Sequence, residues 1–202
     1  ATDIGAVESG NAIPGYAAIV TVNADTFNGL DNGGVSLREA VALSAPGSTI
    51  TFAAGLSGQT ITLTNGQLLL NKNLTIDGSA LANGIAVSGN NHSRIFELTN
   101  AVVTLNSLTL TNGNAQFSTG LGGGILVDAN TTLVVNNCSI VGNVANYGGD
   151  ILSSSGTLTL NNSTVFGNAA SAVAGLGGGI YNFEGTLTLR NCTITGNSAS
   201  VG

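Results

Sequence analysis

One motif recurs through the second half of this chain at near-constant spacing. Gly122-Gly123-Gly124-Ile125 returns as Gly148-Gly149-Asp150-Ile151 and again as Gly177-Gly178-Gly179-Ile180, the isoleucines lying 26 and then 29 residues apart. Each copy leads into a run of alternating apolar and polar residues (132–140, 157–165 and 186–194) and closes on a Gly-Asn pair, Gly142-Asn143, Gly167-Asn168 or Gly196-Asn197. A degenerate fourth copy, 103–110, closes on Gly113-Asn114. Alternation with period two is the pattern of a half-buried strand, and the Thr content favours strand over helix because β-branched side chains suit a pleated surface. Gly and Asn between the runs supply the positive φ that sharp corners need. A unit of this length cannot bury its apolar side alone; it must stack on its neighbours. The expected fold is all-β: a right-handed parallel β-helix, a solenoid of about seven or eight coils.

Aligning the copies gives columns. Leu105, Val135, Leu160 and Leu189 are expected to face the interior, as are Leu110, Ile140, Val165 and Ile194. Between them lie Ser107, Asn137, Asn162 and Asn191. Asn137, Asn162 and Asn191 are expected to form a stacked-amide ladder at a corner, each side chain bonding its neighbour one coil away. The alternative is a set of solvent-exposed turn asparagines. The next column holds Leu108, Cys138, Ser163 and Cys192. Two coils separate the cysteines, about 9.6 Å at a strand spacing of ~4.8 Å. That is beyond the reach of a disulfide, so both are expected as free, buried thiols.

The first half carries shorter runs of the same kind at 19–22, 50–52, 61–63, 74–76, 85–87 and 95–98. One segment differs. In Ser36–Ser44, Leu37, Ala40 and Val41 fall at helical spacing, and Ser36 followed three residues later by Glu39 makes a capping box. A short helix near 36–44 is expected to cap the open end of the first coil. Arg38 and Glu39 read as helix-surface charges or cap contacts.

The residues 19–25 (Ile-Val-Thr-Val-Asn-Ala-Asp), 35–40 (Val-Ser-Leu-Arg-Glu-Ala), 50–52 and 74–78 (Leu-Thr-Ile-Asp-Gly) resemble the opening of bacterial surface proteins that carry the Cys-Ser-Leu-Arg-Glu-Ala domain, with Val35 in place of the cysteine. The later Gly-Gly-x-Ile repeats are similar to those of polymorphic outer-membrane proteins and related β-helix adhesins. The resemblance covers 19–202 and implies a secreted or surface-displayed β-helix, with no particular activity. Within it, Asp3, Ile4 and Val7 belong to a stretch that looks like the closing motif of such domains, here placed before an opening motif. Residues 1–17 therefore read as the tail of a preceding module plus linker. Residues 18–202 read as the β-helix module, with its clearest repeats in 103–202. The chain stops straight after a repeat with no capping pattern, so end-to-end association, or docking onto adjoining modules of the same chain, is expected. The segment at Asp3, Ile4 and Val7 would complete a neighbour's open end by strand addition.

Composition narrows function. Charged residues make up 7% of the chain and the formal net charge is −6, with four scattered basic residues. A nucleic-acid partner needs clustered Lys and Arg, so none is expected. No apolar run reaches membrane-spanning length, so this segment is not expected to insert into a membrane. Neither a signal peptide nor any Met is present, which reads as a processed or excised chain from a bacterial cell-surface or extracellular protein. Asp128, Asp150 and Glu184 occupy different offsets from their Gly-Gly starts, and no catalytic residues are assigned. His92, the one histidine, reads as a turn residue without metal partners. No cofactor is expected beyond calcium, for which Asp25 and Asp31 in or beside a Gly-rich loop are weak ligand candidates; a plain turn is the simpler reading. Outward Thr159 and Thr188 align, but Val134 interrupts the column an ice-binding face would need. Tyr147, Tyr181 and Phe183 lie beside the Gly-Gly corners, where they form a sugar-binding strip or merely shield the corners. The expected function is structural or adhesive, as a repeat unit of a surface protein or a filament subunit. The alternative is a carbohydrate-binding or carbohydrate-active module, with a glycan as partner.

Overall fold

The alternating runs form strands, and the Asn and Gly between them form corners. A computed structural model describes residues 18–28, 33–116, 118–173 and 175–200. Its strands pair in parallel and stack into a β-solenoid of about six turns. The first sheet has seven strands, Ile19–Val20, Ser48–Phe52, Leu74–Asp77, Val102–Asn106, Thr132–Asn136, Thr157–Asn161 and Thr186–Arg190. The second has six, from Thr60–Thr62 to Thr193–Thr195. The third has five: Leu68–Leu70, Phe96–Leu98, Ile125–Val127, Ile151–Ser154 and Ile180–Phe183. A short fourth sheet, Val144–Ala145, Ala169–Ala170 and Ser198–Ala199, widens the later coils. Six turns replace the expected seven or eight because the runs at 50–52 and 61–63, with Leu68–Leu70, are three sides of one coil.

Register follows the sequence columns. Leu74, Val103, Leu133, Leu158 and Leu187 are successive partners, as are Ile76, Leu105, Val135, Leu160 and Leu189. Leu110, Ile140, Val165 and Ile194 align on the second sheet. Up to Val165 these residues are part of one continuous interior that begins at Ala18, with Leu187 packed against it. In the last described coil, Leu189 and Ile194 are each 43% exposed. The first glycine of each repeat, Gly122, Gly148 and Gly177, takes φ of 54°, 59° and 64°, a left-handed conformation that turns the chain onto the third sheet.

The helix spans Leu37–Leu43 and has the expected capping box. The Ser36 hydroxyl accepts from the Glu39 amide at 3.1 Å, and the Glu39 carboxylate accepts from the Ser36 amide at 2.9 Å. Leu37, Ala40 and Val41 join the core, and the helix packs against Ile19–Val20 and Leu68–Leu70. Glu39 is fully buried rather than a surface charge, and also accepts from the Asn28 amide at 2.9 Å.

Candidate functional site

Asn137, Asn162 and Asn191 are exposed corner residues at φ of 53°, 49° and 52°. Asn191 donates to Asn162 at 3.3 Å, but the amide ladders with shorter bonds run elsewhere. One lies a residue earlier on the first sheet, where Asn161 donates to Asn136 and Asn136 to Asn106, each at 2.8 Å. The other is made by the Gly-Asn pairs and is buried at Asn143 and Asn168. The Asn143 backbone N–H donates to the Asn168 side-chain Oδ1 at 2.8 Å, and the Asn168 backbone N–H to Asn197 Oδ1 at 3.0 Å. Their side-chain nitrogens donate to the backbone of the second sheet at Leu110, Ile140 and Val165. In the degenerate copy it is Gly113, not Asn114, that aligns with Asn143, and its N–H donates to the Asn143 side chain at 2.7 Å.

Cys138 and Cys192 are free thiols. Cys138 is buried, and Cys192, in the last described coil, is half-buried. Burial pushes the Cys138 thiol up to about 11, against the opposing effect of backbone hydrogen bonds. It is a neutral core side chain, not a nucleophile.

Asp25 is a clasp. Its carboxylate receives the Arg38 guanidinium at 2.7 and 3.0 Å and the amides of Thr64 and Asn65 at 2.7 and 2.8 Å. Burial alone would raise its pKa; Arg38 and the two amides outweigh that and hold it below the usual value. Arg38 further donates to the carbonyls of Gly66 and Gln67. This carboxylate is committed to Arg38 and the chain, which removes it as a calcium ligand. Asp31, and the assembly segment Asp3, Ile4 and Val7, lie outside the described residues. No group of three metal-ligating side chains occurs among the described residues. His92 is exposed in its turn. The column Thr104, Val134, Thr159, Thr188 is in register on the first sheet, interrupted by Val134.

The outward face of the third sheet is different. Leu69, Glu97, Leu126, Leu152 and Tyr181 stand in register there. Against it lies an open cavity of about 280 Å³ lined by Leu121, Tyr147, Leu152, Ser154, Tyr181 and Phe183. Tyr147 is brought in by a parallel bridge to Leu121, and the rings of Tyr181 and Phe183 meet at 6.2 Å, tilted by 41°. All three aromatic residues named from the sequence thus lie in one groove.

At the groove's lower end sits Arg94, 1% exposed. Its guanidinium donates to the carbonyls of Leu121 and Gly122, to Thr119, to Gln67 and to Glu97, the last at 3.1 Å. Gln67 donates to the same Glu97 oxygen. Asp128 follows Val127 on the next strand, two residues beyond the partner of Glu97. The two acids are diagonal neighbours, ~8 Å apart from strand spacing and rise. Burial raises the Asp128 pKa, Glu97 adds to it and Arg94 opposes it. Sequence columns missed this pair because the coil of Glu97 lacks the Gly-Gly marker. Glu97 is engaged by Arg94 and Gln67, so the Arg94–Glu97 ion pair braces the wall at Leu121.

Asp150 is fully buried where the neighbouring copies carry Gly124 and Gly179. One oxygen accepts from Asn143 at 3.1 Å; the other has no hydrogen-bond partner. Burial raises its pKa well above the ordinary carboxylate value, opposed by that single bond.

Comparison with models of protein families, with curated proteins and with solved structures finds no match.

Proposed function

We propose that this chain is a structural or adhesive β-solenoid module of a bacterial cell-surface or extracellular protein, acting as a repeat unit or a head-to-tail fibre subunit. The observation that carries the reading is the stacking itself. Inward columns and backbone ladders run in register from coil to coil, as from Leu74 through Val103, Leu133 and Leu158 to Leu187. A further coil, from the same chain or another copy, extends such columns without new chemistry. The right-handed sense of winding and the role of Leu37–Leu43 as cover of the first coil belong to this proposal; parallel crossovers favour that hand. Support for the location comes from the resemblance to surface β-helix proteins. No helix among the described residues is long and apolar enough to cross a membrane.

Electron microscopy and light scattering on the 202-residue chain test the fibre reading. End-to-end oligomers or filaments are the expected result. A strictly monomeric particle at high concentration rules out assembly by this chain alone.

A further inference from the structure

We infer that the groove on the third sheet binds a neutral oligosaccharide. The inference rests on the adhesive half of the function proposed above and names its ligand and its site. Tyr147, Tyr181 and Phe183 line one cavity of about 280 Å³ from two successive coils. A pyranose has an apolar face of C–H bonds that packs on an aromatic ring and an equatorial rim of hydroxyls that needs hydrogen-bonding groups. The groove supplies both. Leu121, Leu152 and the three aromatic residues make its lining mostly apolar, and Tyr147, Tyr181 and Ser154 among the lining residues carry hydroxyl groups. The groove runs across the strands, along the stacking direction, where the coils repeat every ~4.8 Å. A linear glycan repeats on a similar length, so consecutive sugar rings meet consecutive coils.

Charge selects among glycans. The ionisable groups next to the groove's lower end are Arg94, Glu97 and Asp128. Arg94 is buried and its donors are taken by Leu121, Gly122, Thr119, Gln67 and Glu97. It offers no free cation to a uronate or sialate carboxylate, while Asp128 and the chain's net charge of −6 repel one. Arg94 is instead a positioning residue, fixing the carbonyls on either side of the Leu121 wall.

The test is a glycan array carrying neutral linear hexose and N-acetylhexosamine oligomers beside uronate and sialylated ones, probed with the whole chain. The best neutral binder is then titrated by calorimetry and by tyrosine emission, which is usable because the chain has no Trp and two of its three tyrosines line the groove. Retention of a neutral glycan is expected, with Tyr181→Ala weakening it about tenfold, the loss of one good aromatic contact. Tyr181→Phe, which keeps the ring and the fold, should bind within about threefold of the parent, the small change expected when only the phenol is lost. Phe166→Ala, at an exposed aromatic on the second sheet, should leave binding unchanged. The inference is overturned if no neutral glycan is retained, if only acidic glycans are, or if Phe166→Ala weakens binding as much as Tyr181→Ala. Assembly is read separately by light scattering. Fibres without glycan binding overturn this inference alone; glycan binding by a strict monomer overturns the fibre reading alone.

Discussion

Asp150 places an ionisable side chain at a position where the repeat otherwise carries glycine. Its oxygen lies 2.2 Å from where a Cβ on Gly124 would stand, so the side chain fills space that the glycine leaves open. With a folded-state pKa raised above the unfolded value of 3.8, the ionisation penalty vanishes only well below that value, where both states are protonated. As pH rises the unfolded chain ionises first, and stability falls until the buried carboxyl titrates. Asp150→Asn keeps an acceptor for Asn143 and removes the titration. Its melting temperature should match the parent at about pH 3 and exceed it at pH 8, by about 2–4 °C per kcal/mol recovered. A parent-minus-variant difference that is flat with pH contradicts this. The asparagines make a parallel contrast. Asn168→Ala removes the acceptor of the Asn143 amide and a donor to Ile140, and should cost about 2–4 kcal/mol in urea unfolding. Asn162→Gly, at an exposed left-handed corner, should stay within about 0.5 kcal/mol of the parent.

Among the elements, the helix Leu37–Leu43 is tied down by charge as well as by its apolar face. Arg38 reaches from its first turn to Asp25 and to the turn at Gly66 and Gln67, joining three stretches of chain. Because the Asp25 pKa is depressed, this clasp contributes stability above about pH 4 and loses it as pH falls through the lowered folded value. Asp25→Ala should speed amide exchange at Thr64 and Asn65, which donate to that carboxylate, with little change at Leu133 or Leu160 in distant coils. Uniform acceleration across all coils argues against a local clasp. The capping box was legible in the sequence because its partners are three residues apart. So were the inward columns, since alternation survives along each strand. The position of the amide ladder was not. A corner residue at positive φ turns the chain without switching faces, so parity slips there: Val135 points in, Asn136 and Asn137 both lie outside, and Cys138 points in again. The Arg94 brace was equally hidden, because it joins the coil of Arg94, which lacks the Gly-Gly marker, to Thr119, Leu121 and Gly122 in the next coil.

At the scale of the whole molecule, a solenoid's stability is a sum over coils and the interfaces between them, so a coil is removable if register is kept. Leu158 and Leu187 are register partners, and deleting 158–186 joins Thr157 to Leu187 with every inward column intact. The shortened chain should remain all-β by circular dichroism and unfold cooperatively; loss of cooperative folding would count against nearest-neighbour stacking. The same deletion changes the chemistry of the cysteines. In the parent, Ser163 stands between Cys138 and Cys192, its hydroxyl accepting from the Cys138 amide at 3.1 Å. Without that coil the two cysteines become direct neighbours, with Cα atoms ~4.8 Å apart, inside the range a disulfide spans. Mild oxidation followed by thiol counting under denaturing conditions should therefore find two thiols in the parent and none in the deletion. Two thiols in both proteins would mean that the shortened chain restacks in another register. The deletion also removes Tyr181 and Phe183, so its glycan affinity should vanish while its fold persists, separating the scaffold from the site it carries.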